Sequence, residues 1–337
     1  MRVAINGFGR IGRAFFRLAF GREDVEIVAV NDPFLKPDIA RYLLTHDSVY
    51  GRYDAGVEAS DDGLTVNSKP IKMLKIKEPR QLPWKQLGID LVIESTGVFR
   101  AFDGDKGCSA HLSAGARRVL LSVPPSGEGA DRIPQIVYGV NHAKLSDAAP
   151  EVVSAASCTT NSLVPVAHVL EERFGIERAF LTTVHGYTAD QRLVDAAHKS
   201  LTRGRAAAVN IIPTSTGAAI ATAKVIPSLD GKMHGIAMRV PIVTGSVSDF
   251  TAEMRCELDA CEVNQAFRDA AGALPLKGVL RVSEEPLVST DIIGDPHASI
   301  VDIKATKVVG GRLLKVLAFY DNEWGYTNQL LRVALAM

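Results

Sequence analysis

The stretch that decides the fold is Arg2 to Phe20, "RVAINGFGRIGRAFFRLAF". Strand character ends at Asn6, glycines follow at positions 7, 9 and 12, and the apolar spacing then turns helical. The next segment, "VEIVAVND" from Val25, reads as a second buried strand and ends on Asp32, twenty residues beyond Gly12. Strand, glycine turn, helix, strand and acid in this order form a βαβ unit that can hold a dinucleotide. Gly7 permits the tight turn, Gly9 lets the backbone approach a pyrophosphate, and Gly12 lets helix and strand pack closely. Free N–H groups at the helix start face the phosphates, and Asp32 accepts from the adenosine ribose hydroxyls. The implied ligand is a nicotinamide or flavin dinucleotide.

Working outward, buried-strand runs recur at "DLVIES" (90–95), "RRVLLSVP" (117–124), "QIVYGV" (135–140) and "EVVSAA" (151–156). Their alternation with helical stretches predicts a mostly parallel sheet covered on both faces. After Ser162 the pattern changes. "SLVPVAHVLEERFG" reads as a helix with Pro165 in its first turn and Gly175 at its end. Longer runs follow, "AFLTTVH", "HGIAMRVPIV", "SVSDFTAEMR", "SIVDIKAT" and "LLKVLAFY", which fit an antiparallel sheet. The segment between "HGYT" and "IIPTSTGAA" is long, polar and without periodicity, as a functional loop would be, and "NQLLRVALAM" closes the chain as a short helix. The expected class is α/β, with a Rossmann-type parallel-sheet coenzyme domain and an α+β catalytic domain built on a largely antiparallel sheet.

Composition agrees with two such domains. The 337 residues exceed what a single core of roughly 250–300 residues supports. The 38 basic and 38 acidic side chains cancel, so no bulk field draws the protein to nucleic acid or to an anionic membrane. No apolar run approaches a membrane span and no leader precedes the glycine cluster, so the expected place is the cytoplasm. The cysteines, at 108, 158, 256 and 261, show no C-x-x-C spacing; Cys256 and Cys261 are expected to be packed thiols, and no metal site is expected.

Cys158 lies in "VVSAASCTTNS", after a strand and before a helix. Partial positive charge at a helix N-terminus favours a thiolate, and His185, at the end of "LTTVH", can reach it if the two strands lie side by side. Taken alone, the cysteine is equally well a small buried residue. Hydroxyl and guanidinium donors decide between the readings: Ser157, Thr159, Thr188, Arg203, Thr216 with Gly217, and Arg239 stand at strand ends and in loops, and such groups hold phosphate. A dinucleotide, an activated thiol and anion donors together describe aldehyde oxidation. The thiolate adds to the aldehyde, hydride leaves to nicotinamide, and a second nucleophile attacks the resulting thioester.

These segments resemble the phosphorylating glyceraldehyde-3-phosphate dehydrogenases along the whole chain, in "INGFGRIGR", "ESTGVF", "SAASCTTN", "TTVHGYT", "IIPTSTGAA", "AMRVP" and "YDNEWGY". The resemblance implies Cys158 as nucleophile, His185 as its base and acid–base partner, and oxidation of glyceraldehyde 3-phosphate with inorganic phosphate. It implies that Thr188, Asp190, Arg203 and Arg239 surround the C3 phosphate, and that Ser157, Thr159, Thr216 and Gly217 hold the attacking phosphate, with Arg239 serving both. For NAD it implies Asn6, Gly7, Gly9, Arg10, Ile11, Gly12, Asp32, Thr96, Gly97, Ser122, Asn322 and Tyr326, with Ala196 and Ala197 of the long loop reaching a neighbouring subunit's coenzyme. It further implies a coenzyme domain over 1–157, a catalytic domain over 158–320, a C-terminal helix (321–337) returning to the first domain, and a homotetramer.

Departures from the family pattern carry information too. Ser162 stands where a second cysteine is frequent, which removes a thiol from redox chemistry near the nucleophile. Ala196 and Ala197 replace a leucine–proline pair and Pro33 replaces leucine. Lost bulk makes room for a 2′-phosphate, so dual NAD and NADP use is expected, against which Asp32 sets a repulsion of roughly 1–4 kcal/mol. Erythrose-4-phosphate dehydrogenase is the rival within this chemistry. A cysteine hydrolase and an inactive nucleic-acid binder are the rivals outside it.

Overall fold

A computed structural model describes residues 1–147 and 149–337. The chain divides into two compact units, Met1–Ile136 with His142–Ala156 and Leu330–Met337, and Val137–Asn141 with Ser157–Gln329.

In the first unit, strands β1 (Arg2–Asn6), β2 (Glu26–Asn31), β3 (Val57–Ser60), β4 (Gly63–Val66), β5 (Lys69–Leu74), β6 (Leu91–Glu94), β7 (Arg118–Leu121) and β8 (Val152–Ser154) form one sheet. Their order is β8-β7-β6-β1-β2-β5-β4-β3. Every pairing from β8 through β5 is parallel, and β3 and β4 add an antiparallel edge that the hydrophobic pattern did not announce. Val3, Ile5, Val92, Ile93, Leu120 and Leu121 are wholly buried, as strands covered on both faces require. Helices α1 (Arg10–Ala19) and α2 (Pro37–Thr45) belong to this unit.

The glycine turn between β1 and α1 is built by close approach. Gly7 has φ +94°, and a Cβ there would lie 2.7 Å from the Thr96 nitrogen. A Cβ on Gly12 would stand 2.1 Å from the Gly7 carbonyl oxygen, so α1 touches the turn at a distance no side chain allows.

The second unit centres on a seven-stranded sheet of β9 (Ile176–Gly186), β10 (Ile212–Ser215), β11 (Met233–Val240), β12 (Ser246–Met254), β13 (Leu280–Ser283), β14 (Ser299–Val309) and β15 (Leu313–Tyr320). Their order is β10-β11-β9-β12-β15-β14-β13. Only β9–β11 and β13–β14 are parallel, so the sheet is largely antiparallel. Alternate residues of β12 are buried, the pattern of a sheet with one fully covered face. Helix α3 (Cys158–Phe174) packs on β12, β14 and β15 and against α4 (Ala218–Val225) and α5 (Ala260–Gly272). The last helix, α6 (Trp324–Ala336), begins in this unit, and its residues from Leu330 onward belong to the first.

Four expectations need correction. "QIVYGV" is no strand: Gln135 makes one isolated bridge, Gly139 turns with φ +87°, and the Asn141 side chain accepts from the Val137 N–H in place of a ladder partner. Pro165 is not in a first turn, because α3 starts at Cys158 and the proline falls in its interior. Cys256 and Cys261 are exposed, not packed. The strand before Cys158 and the strand carrying His185 are not neighbours, since β8 and β9 lie in different sheets. Among the described residues no helix is long and apolar enough to cross a membrane, and no cluster of three or more histidine, cysteine or acidic side chains could hold a metal ion.

Gly12→Ala forces a methyl into the Gly7 carbonyl, so it is expected to cost about 1–3 kcal/mol, read as a lower urea midpoint at unchanged slope.

Candidate active site and dinucleotide cleft

The position of Cys158 follows from one helix cap. Ser157 has extended backbone, and its Oγ accepts from the Thr160 N–H at 3.1 Å, so α3 starts at Cys158. The residue before it, Ala156, is buried with φ +56°, a conformation unusual for a side chain with Cβ, and it turns the chain sharply between β8 and the helix. Ser157 and Thr160 hydroxyls also bond at 2.7 Å.

His185 comes from the end of β9. It stands in parallel register with Arg239 on β11, and its Nε2 lies 3.4 Å from Cys158 Sγ. Its Nδ1 is 2.6 Å from the Gly186 carbonyl and 2.9 Å from Arg239 Nη1. One nitrogen cannot donate to the first and accept from the second. The carbonyl only accepts and the contact is short, so the proton sits on Nδ1, and Arg239 donates to the same carbonyl at 3.0 Å. Nε2 then presents its lone pair to the thiol.

Electrostatics fit that arrangement. Burial, with Arg239 adding to it, pulls His185 down to about 3, so the ring is a neutral base. Burial pushes the Cys158 thiol up, while Arg239 and the Thr159 hydroxyl and N–H pull it back. Cys108, buried in the first unit's core, is pushed up to about 12 and is inert.

Tyr320, which drew no role from its sequence position, packs its ring edge-on against His185 at 5.9 Å. Its hydroxyl joins Thr159 Oγ1 at 2.9 Å and Thr183 Oγ1 at 2.8 Å. The signal was its place two residues before Asn322 in the "YDNEWGY" motif. Asn322 is buried and its Oδ1 accepts from Thr244, Gly245 and Ser246, which leaves its amide nitrogen to donate. Tyr326 is buried as well.

Arg203, like Arg239, bears on the charge of the His185 ring. Arg203 donates to Asp190 at 2.7 Å and to Thr214 at 2.9 Å. Burial raises the Asp190 carboxyl, but Arg203 and His198 outweigh it and hold it below the usual range. Thr216 Oγ1 accepts from the Ala218 N–H at 3.2 Å, and Gly217 starts α4. Thr188 is half-buried three residues beyond His185. Ala196 and Ala197 are exposed on the long loop, which carries two short 3₁₀ turns.

In the first unit a cleft of about 450 Å³ opens at the C-terminal ends of the parallel strands. Asn6, Gly7, Gly9, Asp32 and Thr96 line it. Asp32 accepts from the Phe8 and Phe34 N–H groups, which aims its carboxylate. Arg10 pairs with Asp47, and Ile11, Gly12, Gly97 and Ser122 are outside the lining. Asn31, Phe34, Ile76, Lys77 and Ser95 also line the cleft; the sequence reading assigned them no role, although Asn31 directly precedes Asp32 and Ser95 lies in "ESTGVF". The glycine turn that admits no Cβ, the bare start of α1 and the carboxylate at the far strand end suit a dinucleotide.

Two family models match: one described as "Glyceraldehyde 3-phosphate dehydrogenase, NAD binding domain" over residues 1–102, and one as its "C-terminal domain" over 157–322. The chain is 49% identical over 333 residues to a glyceraldehyde-3-phosphate dehydrogenase of Streptomyces coelicolor, covering 98% of this chain and 96% of that one. Identity is 47% to the enzyme of that name from Geobacillus stearothermophilus, covering 99% and 97%, and 46% to glyceraldehyde-3-phosphate dehydrogenase 2 of Bacillus subtilis, covering 98% and 95%.

The native His185 ring takes a proton near pH 3, whereas an exposed imidazole takes one near 6.5. Between these values the unfolded chain binds more protons, so stability falls as pH is lowered through the window. His185→Asn is expected to flatten that fall; urea midpoints across pH 7 to 4 measure it.

Proposed function

Since the chain belongs to the glyceraldehyde-3-phosphate dehydrogenase family, we propose that it converts glyceraldehyde 3-phosphate and inorganic phosphate to 1,3-bisphosphoglycerate, reversibly, through a thioester on Cys158. The observation that carries the reading is the 3.4 Å approach of His185 Nε2 to Cys158 Sγ at the start of α3. His185 takes the thiol proton as sulfur adds to the aldehyde carbon. The imidazolium returns that proton to the former aldehyde oxygen, giving the hemithioacetal hydroxyl, and the neutral ring takes it again as the carbon is oxidised. Bound NAD supplies the two-electron acceptor for this oxidation. Phosphate attacks the thioester carbonyl, the C–S bond breaks, and the Cys158 thiolate leaves, stabilised by the helix N-terminus and by Arg239.

Arg203 and Arg239, with Thr188 and Asp190, serve the C3 phosphate. Ser157, Thr159, Thr216 and Gly217 serve the attacking phosphate, with backbone N–H groups carrying more of the load than hydroxyls already engaged in the cap and with Tyr320. Asn322 anchors the nicotinamide carboxamide through its unengaged amide nitrogen, with Tyr326 beside the ring. Asn6, Gly7, Gly9, Asp32 and Thr96 of the cleft, with Arg10, Ile11, Gly12, Gly97 and Ser122 outside its lining, serve the rest of the coenzyme, in a domain of residues 1–157 completed by the C-terminal helix. The catalytic domain spans 158–320.

The reading includes a cytoplasmic homotetramer and use of both coenzymes. Leu193, Val194, Leu201, Val209 and Ile211 of the long loop are each more than two-thirds exposed, an apolar surface suited to a second copy of the chain. Lys77 lines the same cleft as Asp32 and offsets its repulsion of a 2′-phosphate.

Cys158→Ser is expected to form no acyl-enzyme, and His185→Asn to lower kcat by about 10²–10⁴-fold. Steady-state oxidation of glyceraldehyde 3-phosphate, with and without phosphate and with erythrose 4-phosphate as the competing aldehyde, checks substrate and phosphorolysis. A kcat/KM for NADP more than about a thousandfold below that for NAD ends the dual-coenzyme reading.

A further inference from the structure

Beneath the cleft of the first unit runs a chain of buried polar side chains that the chemistry above does not use. Glu94, at the end of β6, is wholly buried. Its Oε1 accepts from the Thr96 N–H at 2.9 Å and from the Thr96 hydroxyl. Its Oε2 accepts from Asn6 Nδ2 and from His111 Nε2 at 3.1 Å. Trp84 Nε1 stands 3.0 Å from His111 Nδ1, and all three of Trp84, His111 and Glu94 are essentially inaccessible to water.

Proton positions follow from the ends of this chain. An indole N–H only donates, so Nδ1 of His111 must accept, and the ring's single proton is on Nε2. His111 is therefore a neutral donor to Glu94. Four donors then face the Glu94 side chain, and a carboxylate, accepting at both oxygens, satisfies them all. On the other side Asn6 Oδ1 accepts from Asn31 Nδ2 at 2.7 Å, and Asn31 bonds both the N–H and the carbonyl of Ile76. Asn6, Asn31, Ile76, Ser95 and Thr96 all line the cleft. The Thr96 hydroxyl accepts from the Val98 N–H, and Ser95 Oγ donates to the Gly7 carbonyl at 2.7 Å.

We propose that Glu94 is a positioning residue for the dinucleotide: its buried carboxylate holds Asn6 and Thr96 in the arrangement that receives the coenzyme, and His111 and Trp84 fix its direction from behind. Burying a carboxylate at the end of a strand whose other residues are leucine, valine and isoleucine carries a large desolvation cost. The close contact of Thr96 with the Gly7 turn makes that placement bear on the phosphate-binding loop. The inference rests on the coenzyme reading given above, and the experiment separates the two.

NAD binding is measured calorimetrically on the unmodified protein and on variants, beside melting temperature and kcat. Absence of NAD binding by the unmodified protein ends the coenzyme reading, and this inference with it. Given binding, Glu94→Gln turns an amide N–H₂ toward a donor in either orientation; Kd for NAD is expected to rise about tenfold or more with kcat at saturation within about threefold. His111→Gln still donates to Glu94 and accepts from Trp84, and keeps Kd within about threefold, whereas His111→Leu raises it about tenfold. The His111 pair carries the test if Glu94→Gln does not fold. In the coenzyme-free protein, ¹⁵N NMR is expected to find His111 as the Nε2–H tautomer at pH 7. Unchanged NAD affinity in both Glu94→Gln and His111→Leu, whatever their melting temperatures, or a proton on Nδ1 of His111, overturns the proposal.

Discussion

The approach of Cys158 to His185 depends on where α3 begins. The Ser157 hydroxyl closes on the Thr160 N–H, and that bond makes Cys158 the first helical residue, with the free N–H groups of the helix start around its sulfur. A start one residue later would turn the side chain by about a hundred degrees, away from His185. The left-handed Ala156 before the cap and the parallel register of His185 with Arg239 then bring three groups from separate elements to one point.

Around that point, polar groups are assigned by what they already bind. Hydroxyls that sequence reading offered to phosphate, those of Ser157 and Thr159, are engaged by the cap and by Tyr320. Arg239 and the helix start retain donors, and Asn322 has its acceptor filled while its donor is not. Ser162 also gains a meaning that its substitution for a cysteine did not suggest. It is wholly buried, and its hydroxyl meets that of Ser248 at 3.1 Å, tying α3 to β12 with a polar pair.

Legibility varied with the range of the interaction. The βαβ unit was plain because β1, the glycines, α1 and β2 are adjacent in sequence and each has a local stereochemical requirement. The antiparallel edge β3–β4 was missed because both strands are only four residues long and β3 is largely exposed, so they carry little hydrophobic signal. "QIVYGV" was misread because its apolar residues are buried by tertiary packing in a turn, and periodicity alone does not separate those cases. Cys256 and Cys261 were expected inside on residue type, yet they sit on an exposed segment and an exposed helix face.

By itself the sequence determined the family and the two kinds of sheet, and it singled out Cys158 and His185, because each rests on residue type at fixed spacing along the chain. Only the tertiary structure decided how the histidine reaches the thiol, which of its nitrogens carries the proton, and that Glu94, Trp84 and His111 form one chain beneath the cleft. Those depend on contacts between residues as far apart as Asn6 and His111, through register and burial, and a burial-dependent pKa such as that of His185 exists only once the chain has excluded water.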